Sequence, residues 1–173
     1  MNSPKTETNR QYLPNRDNHE CFACSPVNEH GLQMTFYAEN DTVNSDLVIP
    51  DHLCGWNSLA HGGIISTILD EIMSWSAIYL LERIIMTKSM SVTFKHPIKV
   101  GEELHTTGRV IEQISDREAH MAGQIYNAAG KLCAEAEGRF ALFTVEAIRK
   151  MNIMDAEDID TIEVIFAGNQ TPA

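Results

Sequence analysis

The residues best placed to do chemistry are His61 and Asp70, in the stretch HGGIISTILDEIM that runs from residue 61 to residue 73. Gly62 and Gly63 follow the histidine, and Asp70 and Glu71 are the only charged side chains between Gly62 and Leu81. If this is the opening of a helix, its first backbone N–H groups have no partner and sit at the positive end of the helix dipole. Without side chains at 62 and 63, those donors can reach a ligand oxygen, as an oxyanion hole does. A carboxylate on an otherwise apolar helix suits a base or a nucleophile. Together the pieces suggest attack on a carbonyl.

On one helix, the nine residues from His61 to Asp70 correspond to about 900° of rotation and about 13.5 Å of rise, so the two side chains point in opposite directions. A site using both therefore needs two copies of the chain, with helices antiparallel across a two-fold axis. The bland readings stand beside this one. A His-Gly-Gly before a helix also serves as a tight turn with a capping imidazole. Either acid can belong to a polar stripe, and Glu71 is assigned that structural role. Trp75, Met73 and the isoleucines read as core.

The elements that must position these groups follow from the pattern. The 173 residues, 43% hydrophobic and 21% charged, suit one domain with tails. Residues 1–20 read as a flexible polar tail without the apolar core of a signal peptide, which points to the cytoplasm. Gly31–Glu39 and Thr42–Ile49 read as a hairpin turning at Asn40-Asp41, and Asn57 or Ser58 as the cap of a helix from about Leu59 to Leu81. That helix is long enough to cross a membrane, but two acids near its middle argue for burial in protein instead. Strands follow at Thr87–Lys95, Glu103–Gln113, Glu118–Asn127 and Lys131–Phe143. One face of the last carries Ala134, Ala136 and Gly138, small enough to admit the helix. The fold class is α+β: one buried helix wrapped by an antiparallel sheet of about six strands over residues 21–144, then a helical appendage over 145–173.

The net charge of −11 speaks against nucleic acid as a partner. The four cysteines, Cys21, Cys24, Cys54 and Cys133, are expected to stay reduced. Cys21-x-x-Cys24 lacks a second close ligand pair, with only His30 and His52 to recruit, and no helix begins there to activate a thiol. Neither a metal, a redox pair nor any cofactor is expected.

HGGIISTILDE (61–71), TKSMSVTFKHP (87–97) followed by VGEEL, and CFACSPVNEHGL (21–32) resemble the hotdog-fold acyl-CoA thioesterases, in particular the PaaI-like group, over about Cys21 to Phe143. Ser25 and Glu29 depart from the cysteine motif of a bacterial subgroup. The resemblance implies hydrolysis of a small or medium acyl-CoA to free acid and CoA by a homodimer or a dimer of dimers. It makes Asp70 the base or nucleophile and Thr87 the residue that orients water, with His61, Gly62 and Gly63 holding the thioester carbonyl. Several members carry an asparagine where this chain has Gly55; Asn57 is near but out of register. Strand alternation puts Thr87 beside Ser89 on the polar face, so reaching Asp70 requires a bulge. Arg83, Lys88, Lys95, His96 and Arg139 are the candidates to hold CoA phosphates. The rival reading is a non-catalytic acyl-CoA binding or sensing protein on the same fold.

Overall fold

The structure is a computed structural model that describes residues 10–15, 17 and 19–169. Its seven strands are β1 (Gln11–Tyr12), β2 (Tyr37–Glu39), β3 (Thr42–Val48), β4 (Ile84–Phe94), β5 (Glu103–Ser115), β6 (Glu118–Asn127) and β7 (Leu132–Phe143). They form one antiparallel sheet in the order β1-β2-β3-β5-β6-β7-β4. The helix α1 (Gly62–Leu81) lies in its concave face, and α2 (Val145–Met151) and α3 (Ala156–Asn169) follow the last strand.

The core is the seam between α1 and the sheet. Ile65, Ile68, Leu69, Ile72 and Met73 are buried against Val43, Leu104, Met121, Ile125, Ala134 and Phe140. Gly108 and Gly123 let the sheet come this close. A Cβ on Gly108 would sit 2.3 Å from Ser76 Oγ, and one on Gly123 3.2 Å from side-chain atoms of Ile72 and Met73. The glycine expected to admit the helix, Gly138, instead faces the Phe140 ring and the backbone oxygen of Ser89.

One side of α1 stays uncovered. Ser66, Thr67, Asp70 and Ser74 are only partly buried, and the three hydroxyls donate back to the carbonyls of Gly62, Gly63 and Asp70. Those bonds satisfy polar groups within the helix and leave the stripe free to meet something else. The helix is thus not apolar all round, and half of its most apolar window is buried.

Four local expectations change. The helix opens three residues later than Leu59 and is capped by His61, because Leu59 bridges to Lys99 and Ala60 to Cys54. Asn57 and Ser58 instead sit in the loop those bridges close. In the first hairpin only Tyr37–Glu39 joins the ladder. The seventh strand is Gln11–Tyr12 on β2, with Leu13 buried, so the chain is pinned down within the expected tail. Residues 1–9 lie outside those described. The helices after β7 pack with Ile148 and Ile159 buried against Ile84.

Candidate active site

Asp70 sits mid-helix on the open stripe of α1, and its Oδ1 accepts a hydrogen bond of 2.8 Å from Thr87 Oγ1. What brings the threonine there is an irregularity in β4, whose register against β7 shifts between Thr87 and Ser89. A bulge turns one side chain against the alternation of its strand, which is what Thr87 requires.

At the other end of the same helix, His61 is the N-cap. Its Nδ1 accepts from Gly63 N–H at 2.9 Å, while its carbonyl accepts from Ile64 and Ile65. The capping imidazole and the candidate site histidine are therefore one residue. An Nδ1 that accepts carries no proton, so the neutral ring has its N–H at Nε2, aimed away from the helix. Gly63 must be small for this, since a Cβ there would lie 3.0 Å from Nδ1. The expected pair of free glycine amides is thereby corrected. Gly63 N–H is occupied by the cap, and Gly62 N–H remains, beside the Phe94 ring that a Cβ on Gly62 would touch at 3.6 Å.

Gly55 is required by close packing before the helix. A Cβ on it would meet the Cα of His61 at 3.3 Å. Asn57 is exposed with φ 51° in the loop before α1, a left-handed conformation that asparagine tolerates, and nothing aims it at Asp70.

The basic candidates do not converge. Lys88 pairs with Glu118 at 2.6 Å, Arg139 with the same carboxylate at 3.2 Å, and Lys95 with Glu135 at 2.8 Å. Glu118 is held below the usual carboxylate range, first by the Lys88 hydrogen bond. Arg83 donates to the Glu82 carbonyl beyond the far end of α1. His96 is exposed at the end of β4, on the His61 side.

Glu71, one position on from Asp70, faces a different environment. Its Oε1 accepts from Trp75 Nε1–H at 3.0 Å. Burial above all, then the charge of Cys21, pushes its carboxyl up to about 7, against hydrogen bonds with Cys24 and Trp75. It lines a cavity of about 690 Å³ between α1, α3 and the N-terminal segment, with His19, Cys21 and Cys24. Hydrogen bonding to Cys24 holds the Cys21 thiol down to about 5 and raises Cys24 in turn. The sequence offered His30 and His52 as helpers for this pair, but those two rings lie against each other, 6.4 Å between centroids. The convergent residue is His19, whose signal was plain: it stands two positions before Cys21.

Comparison with known proteins places this arrangement. Residues 52–159 match the family profile of the thioesterase-like superfamily. The chain belongs to that superfamily. No curated protein matches it by sequence. Among solved structures, a thioesterase superfamily protein is 24% identical with a TM-score of 0.62, covering 67% of this chain and 57% of its own. The chain therefore spans little more than half of that relative. The Escherichia coli PaaI protein of the phenylacetic acid degradation operon is 16% identical, with a TM-score of 0.59 over 65% of this chain and 80% of its own. A Streptococcus pneumoniae hypothetical thioesterase solved with coenzyme A is 20% identical, TM-score 0.56, over 60% and 82%. That protein has also been solved as an aspartate-to-alanine and a threonine-to-alanine variant. These likenesses establish the fold, α1 cradled in the antiparallel sheet of a hotdog domain.

Proposed function

We propose that this superfamily member hydrolyses a small or medium acyl-CoA, with Asp70 as the reacting carboxylate in a site shared by two copies of the chain. The observation that carries the reading is the 2.8 Å bond between Thr87 Oγ1 and Asp70 Oδ1. A bulge that breaks strand alternation to aim one hydroxyl at one carboxylate has no use in core packing. The coenzyme A and the paired aspartate and threonine variants of the Streptococcus pneumoniae protein support the same reading.

In this mechanism Thr87 holds Oδ1, leaving Oδ2 to take a proton from water. The water oxygen bonds to the thioester carbon, the carbonyl oxygen becomes an oxyanion, and the C–S bond breaks. The proton passes from Asp70 to the departing sulfur, giving free acid and CoA. Direct attack by Asp70, followed by hydrolysis of the anhydride, gives the same products. The oxyanion is met by Gly62 N–H and the Nε2–H of His61 from the second copy, since half a turn and about 13.5 Å separate His61 from Asp70 on one helix. The uncovered stripe of α1 and the exposed Phe94 and Met86 of edge strand β4 suit that second copy. His96, with Lys95 exchanging Glu135 for phosphate, stands nearest to receive the CoA phosphates.

Thiol release from a panel of short, long and aryl acyl-CoAs tests this. The native chain should turn over one class, and Asp70→Asn should lower the rate by about 10²–10⁴. Tight acyl-CoA binding with no thiol release from any substrate would replace the enzyme with a binding protein.

A further inference from the structure

We propose that His19, Cys21 and Cys24 form a binding site for a divalent metal of the zinc class, which fastens the N-terminal segment against α1. One ligand atom from each of the three lies within 4.8 Å of the other two. A tetrahedral zinc ion needs about 3.3–3.8 Å between such atoms, so the closure still required is at most about 1.5 Å. Two thiolates and an imidazole are ligands that select zinc over calcium or magnesium.

The surroundings are built for this. Asn15 donates from Nδ2 to the carbonyl of Cys24 at 2.6 Å, which fixes its amide and turns Oδ1 toward His19 Nε2 at 3.1 Å. His19 Nδ1 then carries the lone pair, now accepting from Cys21 N–H at 3.3 Å. A ring N–H given to an oxygen, with the other nitrogen left as a lone-pair donor, is the usual support of a metal-bound histidine, and here the metal would replace the long Cys21 N–H bond. The turn is held as firmly. Ser25 N–H donates to the Cys21 carbonyl at 3.1 Å, and Ser25 Oγ donates to the His19 carbonyl while accepting from Asn28 N–H. Leu32 and Met34 bond to the carbonyls of Phe22 and Ala23, tying the cysteine turn to the segment that leads into the sheet. For the fourth position, the Glu71 carboxylate already touches Cys24 and is steadied by Trp75. A rotation of its side chain, or a water, completes the tetrahedron.

The test is cobalt(II) titration of the reduced full chain carrying Cys54→Ser, which removes the other exposed thiol. One equivalent should bring in visible tetrahedral bands with a thiolate-to-cobalt charge-transfer band, and zinc should bleach both. Cys21→Ser with Cys24→Ser should abolish the charge transfer. Asn15→Ala should weaken zinc about 10–100-fold and Asn15→Asp restore it. Absence of the charge-transfer band in a chain that circular dichroism shows to be folded would overturn the proposal. So would a band that survives the double cysteine variant, or rapid formation of a Cys21–Cys24 disulfide that excess zinc does not prevent.

Discussion

At the scale of single residues, the site rests on pairs whose members do two jobs. His61 caps α1 and orients its own ring by the same bond to Gly63. His61→Ala should therefore cost about 0.5–2 kcal/mol of stability, read from the denaturant midpoint, besides any loss of rate. Thr87→Val keeps the shape and removes the 2.8 Å bond to Asp70. Losing one hydrogen bond of about 1–1.5 kcal/mol predicts roughly a tenfold fall in kcat/KM, with the fold untouched. A larger or equal effect from Lys88→Met would shift the chemistry away from this pair. Asp70 stands out in the sequence as charge in an apolar run, whereas Thr87 came only from the family resemblance, because the bulge that brings it to Asp70 leaves no mark in the alternation of its strand. The loss of Gly63 as a free donor was not legible, since it depends on which way an imidazole turns.

Elements were legible where a period repeats and illegible where partners lie far off in sequence. The bounds of β6 follow from alternation alone, whereas the helix start slipped because the bridges of Cys54 to Ala60 and Leu59 to Lys99 are invisible in apolar spacing. The close approach of sheet to helix was anticipated at Ala134, Ala136 and Gly138; the two alanines lie in that core, but the tightest approach is made at Gly108 and Gly123, on strands that only tertiary packing brings over α1. Gly108→Ala, with its Cβ 2.3 Å from Ser76 Oγ and 2.7 Å from the Ile72 carbonyl, should destabilise by about 1–3 kcal/mol in a thermal melt. Between β3 and β5, Asp46 accepts from Tyr37 and pairs with His105 at 2.8 Å. Burial pushes its carboxyl up, but the His105 and Tyr37 hydrogen bonds outweigh this and hold it below its ordinary value. A lowered folded value means the stabilisation is complete above the unfolded pKa and is lost as pH falls through the folded one. The native denaturation midpoint should thus drop on acidification below about pH 4, and Asp46→Asn should flatten that slope.

For the whole molecule, the proposed sharing of the site between two copies makes self-association the property to test. Two large cavities, of about 690 and 900 Å³, are lined by other residues than His61, Asp70 and Thr87. Phe94 at the β4 edge is 54% exposed, and Phe94→Glu should weaken self-association by about 2 kcal/mol or more, roughly thirtyfold, with activity falling in step in sedimentation and rate assays. The expectation of a second copy comes from helix geometry alone, because 3.6 residues per turn fixes which way two side chains point. The N-terminal strand was not legible, because a two-residue pairing leaves no period to read. That half-turn between His61 and Asp70 also has a genetic meaning. With a site shared as proposed, a chain lacking the histidine and a chain lacking the aspartate would each be inert alone, yet a mixed pair would regain one intact centre and forfeit the other. Co-expressing His61→Ala with Asp70→Asn should restore about a quarter of the native activity per chain by random pairing, whereas neither variant should poison the native chain, because a native–variant pair keeps one intact centre for its one native chain.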